Sequence, residues 1–201
     1  MKVVECELTF TEEMLGTKPG TPDVFAKYIA SKREAGIPKD EINAEENSAA
    51  LADEAEIRGT TIFHKDANGN PFIWDYMIKG FFKDSCSALA KADNSLSSGI
   101  RAFKKAVDGL IFVSPRKIPC VMPPDSQIGV CERPLRAQTM KGERVTLARS
   151  ETIPAGTKIK FTVTLLSDSL YAPFMEWMAY GQLRGLGQWR NSGKGRFIST
   201  C

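Results

Sequence analysis

The chain has 201 residues, 42% of them hydrophobic and 25% charged, with a formal net charge of +3; this is the make-up of one ordinary soluble domain. No apolar run approaches the roughly 20 residues of a bilayer-spanning helix, and Met1-Lys2 opens directly onto an alternating pattern, so neither a membrane span nor a signal peptide is expected. The five cysteines (Cys6, Cys86, Cys120, Cys131 and Cys201) are scattered without a C-x-x-C, and His64 is the only histidine. That argues against a zinc site or a disulfide framework, calls for no metal or cofactor, and fits a reduced, cytoplasmic setting.

In chain order, Lys2 to Phe10 places Val4, Cys6, Leu8 and Phe10 on one face and Glu5, Glu7 and Thr9 on the other, a half-buried strand. Gly16 to Pro22 is a turn-rich link. Thr21-Pro22-Asp23 can cap a helix over 24–35, ended by Gly36-Ile37-Pro38, and an acidic helical stretch follows over 40–55. Together they read as a helical insertion, residues 17–58, within a single domain. Thr60 to Lys65 returns to strand, and Asn68-Gly69 predicts a tight turn with positive φ at both residues. Pro71 to Trp74 leads into a core helix over 76–92 with a stripe of Ile78, Phe81, Phe82, Cys86 and Leu89.

A second helix over 96–107 precedes a buried strand at 110–113. Four prolines make 115–124 a loop. Strands are expected over 128–136, 144–149 and 158–166. Ser167-Asp168-Ser169 then caps a helix over 170–184 that turns Phe174, Trp177, Met178 and Leu183 inward, and a final strand runs over 196–200. Strand, helix, strands, helix, strand is the order of an α+β, ferredoxin-like (RRM-like) antiparallel sheet with helices on one face, here carrying the helical insertion and a basic β-hairpin.

Charge is unevenly spread. Between Asp40 and Glu56 stand seven acids and no lysine or arginine, whereas Gln182 to Cys201 holds Arg184, Arg190, Lys194 and Arg196 and no acid. An anionic partner would be drawn to the second region; solvated faces are the plainer alternative. Within it, Gly185-x-Gly187-x-x-Arg190-x-x-Gly193-x-Gly195 joins a helix to a strand. Glycine lets a backbone approach closely, so consecutive N–H groups can line an anion-binding concavity to which Arg190, Lys194 and Arg196 add charge. The plainer alternative is a tight connection. A dinucleotide fingerprint follows a strand and opens a helix, the reverse order, and no G-K-[ST] opens a helix, so neither nucleotide-binding loop fits. Trp189 could stack on a base or cap the core. Arg133 and Arg136, with Lys141 and Arg144, make a basic hairpin that could lie across a nucleic-acid strand or simply be solvated.

This loop resembles the terminal glycine-rich loop of the RAMP superfamily, the ferredoxin-like RNA-binding proteins of CRISPR systems, and Gly185, Gly187, Arg190, Gly193 and Gly195 match its fixed positions. Two further segments occur in the order found in the backbone subunits that polymerise along guide RNA. Asn70-Pro71-Phe72-Ile73 followed by Ile78-Lys79-Gly80 is similar to their proline-isoleucine and serine-leucine-lysine-glycine element, although Trp74-Asp75-Tyr76-Met77 replaces its small glycine-serine-serine approach. Glu151 to Phe161 is similar to their E-x-[VI]-P-x-G-T strand entry. The resemblance spans residue 59 to the C terminus, with Lys2–Phe10 as first strand.

It implies a non-catalytic subunit that holds single-stranded guide RNA by phosphate contacts, with RNA, other ribonucleoprotein subunits and copies of itself as partners and no membrane. The contact residues it implies, together with those read above, are Lys79, Gly80, Lys83, Arg133, Arg136, Gly187, Trp189, Arg190, Gly193, Lys194, Gly195 and Arg196. Two other readings stand beside it. The superfamily's processing endoribonucleases often use a histidine general acid or base, which makes His64 a catalytic candidate, with a structural or surface position the plainer role; the metal-dependent branch uses an aspartate after the first strand, for which Asp23 is the candidate and helix capping the plainer role. The third is a phage or mobile-element protein that inhibits a CRISPR or other immune complex, its acidic insertion imitating nucleic-acid charge.

Overall fold

A computed structural model describes residues 1–20, 60–139 and 142–201, with the backbone alone given for 135–139 and 142–147. Its elements are β1 (Lys2–Phe10), β2 (Met14–Leu15), β3 (Lys18–Pro19), β4 (Thr60–Ile62), β5 (His64–Lys65), β6 (Pro71–Trp74), α1 (Asp75–Leu89), α2 (Phe103–Leu110), β7 (Ile111–Ser114), β8 (Lys117–Pro119), β9 (Gly129–Thr139), β10 (Gly142–Ile153), β11 (Lys158–Leu165), α3 (Tyr171–Arg184) and β12 (Phe197–Thr200). The helices expected over 24–35 and 40–55, and Asp23 with them, lie outside the described residues.

The central sheet has the order β12-β1-β11-β7, and every neighbouring pair in it is antiparallel. With α1 between β1 and β7, and α3 between β11 and β12, this is the βαββαβ ferredoxin-like arrangement. Alternation in β1 buries Val4, Cys6, Leu8 and Phe10, and β11 does the same with Ile159, Phe161, Val163 and Leu165. Both helices cover that face. Their aromatic rings close the core edge-on, Phe81 against Phe197 at 5.3 Å between centroids and Phe82 against Phe174 at 5.5 Å, each such side chain contributing about 1.5–3 kcal/mol on burial. Gly181 lets α3 lie on β12, because a Cβ there would sit 2.0 Å from the Phe197 ring.

A second sheet, β2-β10-β4-β3 with β9 on β10, flanks the first and includes one parallel pair, Arg149 opposite Thr60. A small third sheet is β5-β6-β8. Several sequence expectations change here. Thr60–Lys65 is split between two sheets at Phe63, whose N–H donates to Glu151 Oε2 at 2.9 Å. The turn at 66–70 takes a positive φ only at Gly69, because the Asp66 carboxylate accepts from the N–H groups of Asn68 and Asn70 and closes the turn itself. The proline-rich stretch is not wholly loop: Lys117–Pro119 pairs with β6 as an edge strand, where Pro119 need donate nothing.

The helix expected over 96–107 is broken. A 3-10 turn at Leu96–Gly99 is followed by Ala102 at φ 48, and α2 begins only at Phe103. The edge strand β7 is half-buried, with Phe112 49% exposed. Ser167 and Ser169 bond each other rather than capping α3, which is preceded by a 3-10 turn at Asp168–Leu170. Leu183 points outward, since the buried face of α3 is Phe174, Trp177, Met178 and Gly181. No described helix is long and apolar enough to cross a membrane.

Candidate nucleic-acid interface

The glycine-rich loop runs from the end of α3 into β12, along one edge of the central sheet. Its backbone is tied to the segment after β1. Gly195 N–H donates to Glu13 O at 2.8 Å, Leu186 N–H to Gly195 O at 2.9 Å, and Thr11 N–H to Arg196 O at 2.8 Å. Gly195, at φ +70, lies so close to Leu186 that a Cβ would come 1.9 Å from its carbonyl oxygen. No side chain fits there. Gly193, at φ +86, is open by contrast, with nothing nearer than 3.5 Å to a Cβ. The N–H groups of Leu186, Gly193 and Gly195 are thus spent on the protein's own carbonyls rather than on a cradle for an external anion.

Two of the loop's cations are matched by carboxylates. Arg190 donates to Asp84 Oδ2 at 2.8 Å, and Arg184 shares that carboxylate at 2.9 Å. Burial pushes Asp84 up, but the hydrogen bonds and charges of the two arginines outweigh it and hold the acid below the usual carboxylate range. Lys194 pairs with Glu13, and that contact raises the lysine. Arg196 is exposed and donates from Nε to Leu183 O at 3.1 Å. These pairs fasten the loop to β1's exit and to α1.

Arg133 is in a different position. It lies in β9 at the base of the β9–β10 hairpin and is 7% exposed. Its Nη1 donates to Ser150 Oγ at 3.1 Å, its Nη2 reaches Gln188 Oε1 only at 3.4 Å, and its Nε has no partner. Among the described residues no carboxylate answers this charge. The Nε–Nη2 edge, the one with which an arginine chelates phosphate or carboxylate, is therefore the under-used one. The guanidinium carbon sits 4.7 Å from the ring centroid of Trp189, which is 38% exposed and held at φ 54. A buried cation roofed by a half-exposed indole, where loop meets hairpin, can bind an anion and stack a planar ring.

The other sequence candidates are dispersed. Lys79 donates to Asp108 O at 3.1 Å and lies over Phe112 of β7, and Lys83 pairs with Asp108; both face the sheet edge opposite the loop. Gly80 is exposed on α1 with open space around it. Lys141 lies outside the described residues, as do the side chains of Arg136 and Arg144. His64 is 4% exposed, its ring against Phe72 and Trp74. The open sheet face is charge-balanced, with Glu7 between Lys158 and Lys160. No group of side chains suited to a metal ion occurs among the described residues. Sequence reading missed Asp84 and Glu13 as partners of the loop, and Gln188 and Ser150 as the seat of Arg133; nothing local in the sequence marks them.

No protein-family model and no curated protein matches the chain. Solved structures do. A chain of the type III-B Cmr-beta complex bound to cognate target RNA superposes with a TM-score of 0.56 at 13% identity, covering 99% of this chain and 58% of that one. This protein thus spans little more than half the length of that relative. A chain of a type IV-B CRISPR complex superposes at 0.50 with 12% identity over 99% of this chain and 90% of that one. Cmr6 from Pyrococcus furiosus gives 0.47 at 11% identity over 99% and 98%. The first two carry the likeness, and it is a likeness of fold.

Proposed function

We propose that this protein, a chain of RAMP-type fold, is an RNA-binding subunit of a CRISPR-type ribonucleoprotein, and that it holds single-stranded guide RNA where the glycine-rich loop meets the hairpin. The observation that carries the reading is Arg133, a buried guanidinium with no carboxylate partner among the described residues and with Nε, on its chelating edge, unpaired. A charge left so is costly, and a phosphodiester would offset the cost. Trp189 above it offers a stacking surface for the adjoining base, worth about 1–3 kcal/mol and tolerant of sequence. The strand is gripped by backbone and ring face, and sequence is left to base pairing within the complex. The loop glycines and the Arg190 and Lys194 pairs position Trp189 and leave phosphate contact to Arg133, with Arg196 exposed nearby in sequence.

Binding rather than cleavage is favoured by His64, which is 4% exposed and has its ring against Phe72 and Trp74. The test is fluorescence anisotropy of a labelled single-stranded RNA. Binding should be tight at low salt and fall steeply as salt rises, by about 0.7 per phosphate neutralised on a log–log plot, with the RNA recovered at full length. Absence of RNA affinity at low salt, or shortened product that is lost in a His64→Ala variant or depends on added metal, would overturn the reading.

A further inference from the structure

Cys6 lies in β1 on the helix-covered face, 3% exposed, and Cys201 directly follows β12. The register sets Leu8 opposite Ser199 and Glu7 opposite Thr200. The next pair along that antiparallel ladder is Cys6 opposite Cys201. Directly opposed residues have Cα atoms about 4.5–5.5 Å apart, within the range of roughly 4.4–6.8 Å that a disulfide spans. Both cysteines are free, and their thiols share a hydrogen bond. Cys86 and Cys120 are buried in the core, and Cys131 is partly exposed on the hairpin.

We propose that Cys6 and Cys201 form a redox-modification site, a dithiol that a small-molecule disulfide of the glutathione class converts into a cross-strand disulfide stapling β12 to β1. Cys201 reacts first. It is exposed, and the hydrogen bond from Cys6 holds its thiol below the usual range despite partial burial. Its thiolate attacks one sulfur of glutathione disulfide, forming a mixed disulfide and expelling one glutathione thiolate. Cys6 then releases its proton and attacks the Cys201 sulfur, which breaks the mixed disulfide and expels the second glutathione. Two protein thiols are oxidised, one glutathione disulfide is reduced to two thiols, and the protein's two thiol protons end on glutathione. Cys6 is held high by its hydrogen bond to Cys201 and by burial, so the adduct forms before the staple closes. The staple closes the end of β12 remote from the glycine-rich loop, beyond the Glu7–Thr200 pair. The closed loop spans nearly the whole chain, where the constraint on the unfolded state is greatest.

The full chain is incubated with glutathione disulfide, remaining thiols are alkylated, and the joined peptides are identified by mass. The expected result is a Cys6–Cys201 cross-link and a rise in Tm on the order of 10 °C that dithiothreitol reverses. Cys201→Ser should leave Cys6 reduced and abolish the rise, and Cys6→Ser should stop at the glutathione adduct of Cys201. A wild-type chain that stops at that adduct, joins Cys201 to Cys131, or keeps both thiols free would overturn the proposal. Neither variant touches Arg133 or Trp189, so the result is independent of the RNA reading.

Discussion

The two sides of the glycine-rich loop are built from the same residue types and do different things. On the side facing β1's exit and α1, every backbone approach is to the protein itself, and Arg190 and Lys194 have carboxylates at hydrogen-bond distance. On the side facing the hairpin, Arg133 has a hydroxyl, a distant amide and an Nε without a partner. The lesson is that neither a glycine motif nor a basic tally marks an anion site. The deciding question is which charge the fold leaves unanswered.

The sharpest way to break that comparison is at the glycines. Gly195→Ala forces a side chain into the Leu186 carbonyl and should cost on the order of 4 kcal/mol or prevent folding; Gly193→Ala faces only the left-handed backbone penalty of about 1–2 kcal/mol. Denaturant unfolding of the two variants measures the contrast, and equal costs would show that the loop is not packed as described. Next in size is Arg133→Met. Removing a buried unpaired charge while keeping an apolar stem should leave stability unchanged or raise it, yet weaken RNA binding about tenfold to a hundredfold, a loss of roughly 1.5–3 kcal/mol. A variant that unfolds would instead mean that the guanidinium is needed by the fold.

Trp189→Ala sharpens the same point. Its ring is half-exposed, so thermal stability should change little, while the lost stacking should weaken RNA about tenfold. The smallest effect is in acid. Asp84 has a folded pKa below its unfolded value of about 3.9, so its contribution is fully present above that value and is lost as pH falls through the lower folded one. Unfolding midpoints measured down the acid limb should fall less steeply for Asp84→Asn than for the wild type, and parallel curves would remove the Arg184–Asp84–Arg190 link from the account.

Much of the scaffold was legible in the sequence because it rests on local periodicity. The alternation of β1 and β11 and the apolar stripe of α1 place the central sheet and its cover, and with the order of elements they imply its antiparallel topology. Where reading failed, a non-local contact decided. Lys117–Pro119 becomes a strand because β6 offers an edge that a proline can tolerate. Leu183 misses the core because the face of α3 that meets the sheet continues through Gly181, a residue that carries no hydrophobic signal. For the candidate site, the loop motif pointed to Trp189 and the basic hairpin to Arg133, but not to their meeting. Arg133 and Trp189 are 56 positions apart in the sequence, and the acids that silence the neighbouring cations, Asp84 and Glu13, lie in other elements altogether. No spacing rule connects them.

The salt dependence of single-stranded RNA affinity, compared between the wild type, Arg133→Met and Arg190→Ala, tests the central claim most directly. The account predicts that Arg133→Met lowers affinity and flattens the log–log slope by about 0.7, one phosphate contact, while Arg190→Ala leaves the slope where it was. A slope that stays constant in Arg133→Met and flattens in Arg190→Ala would contradict it.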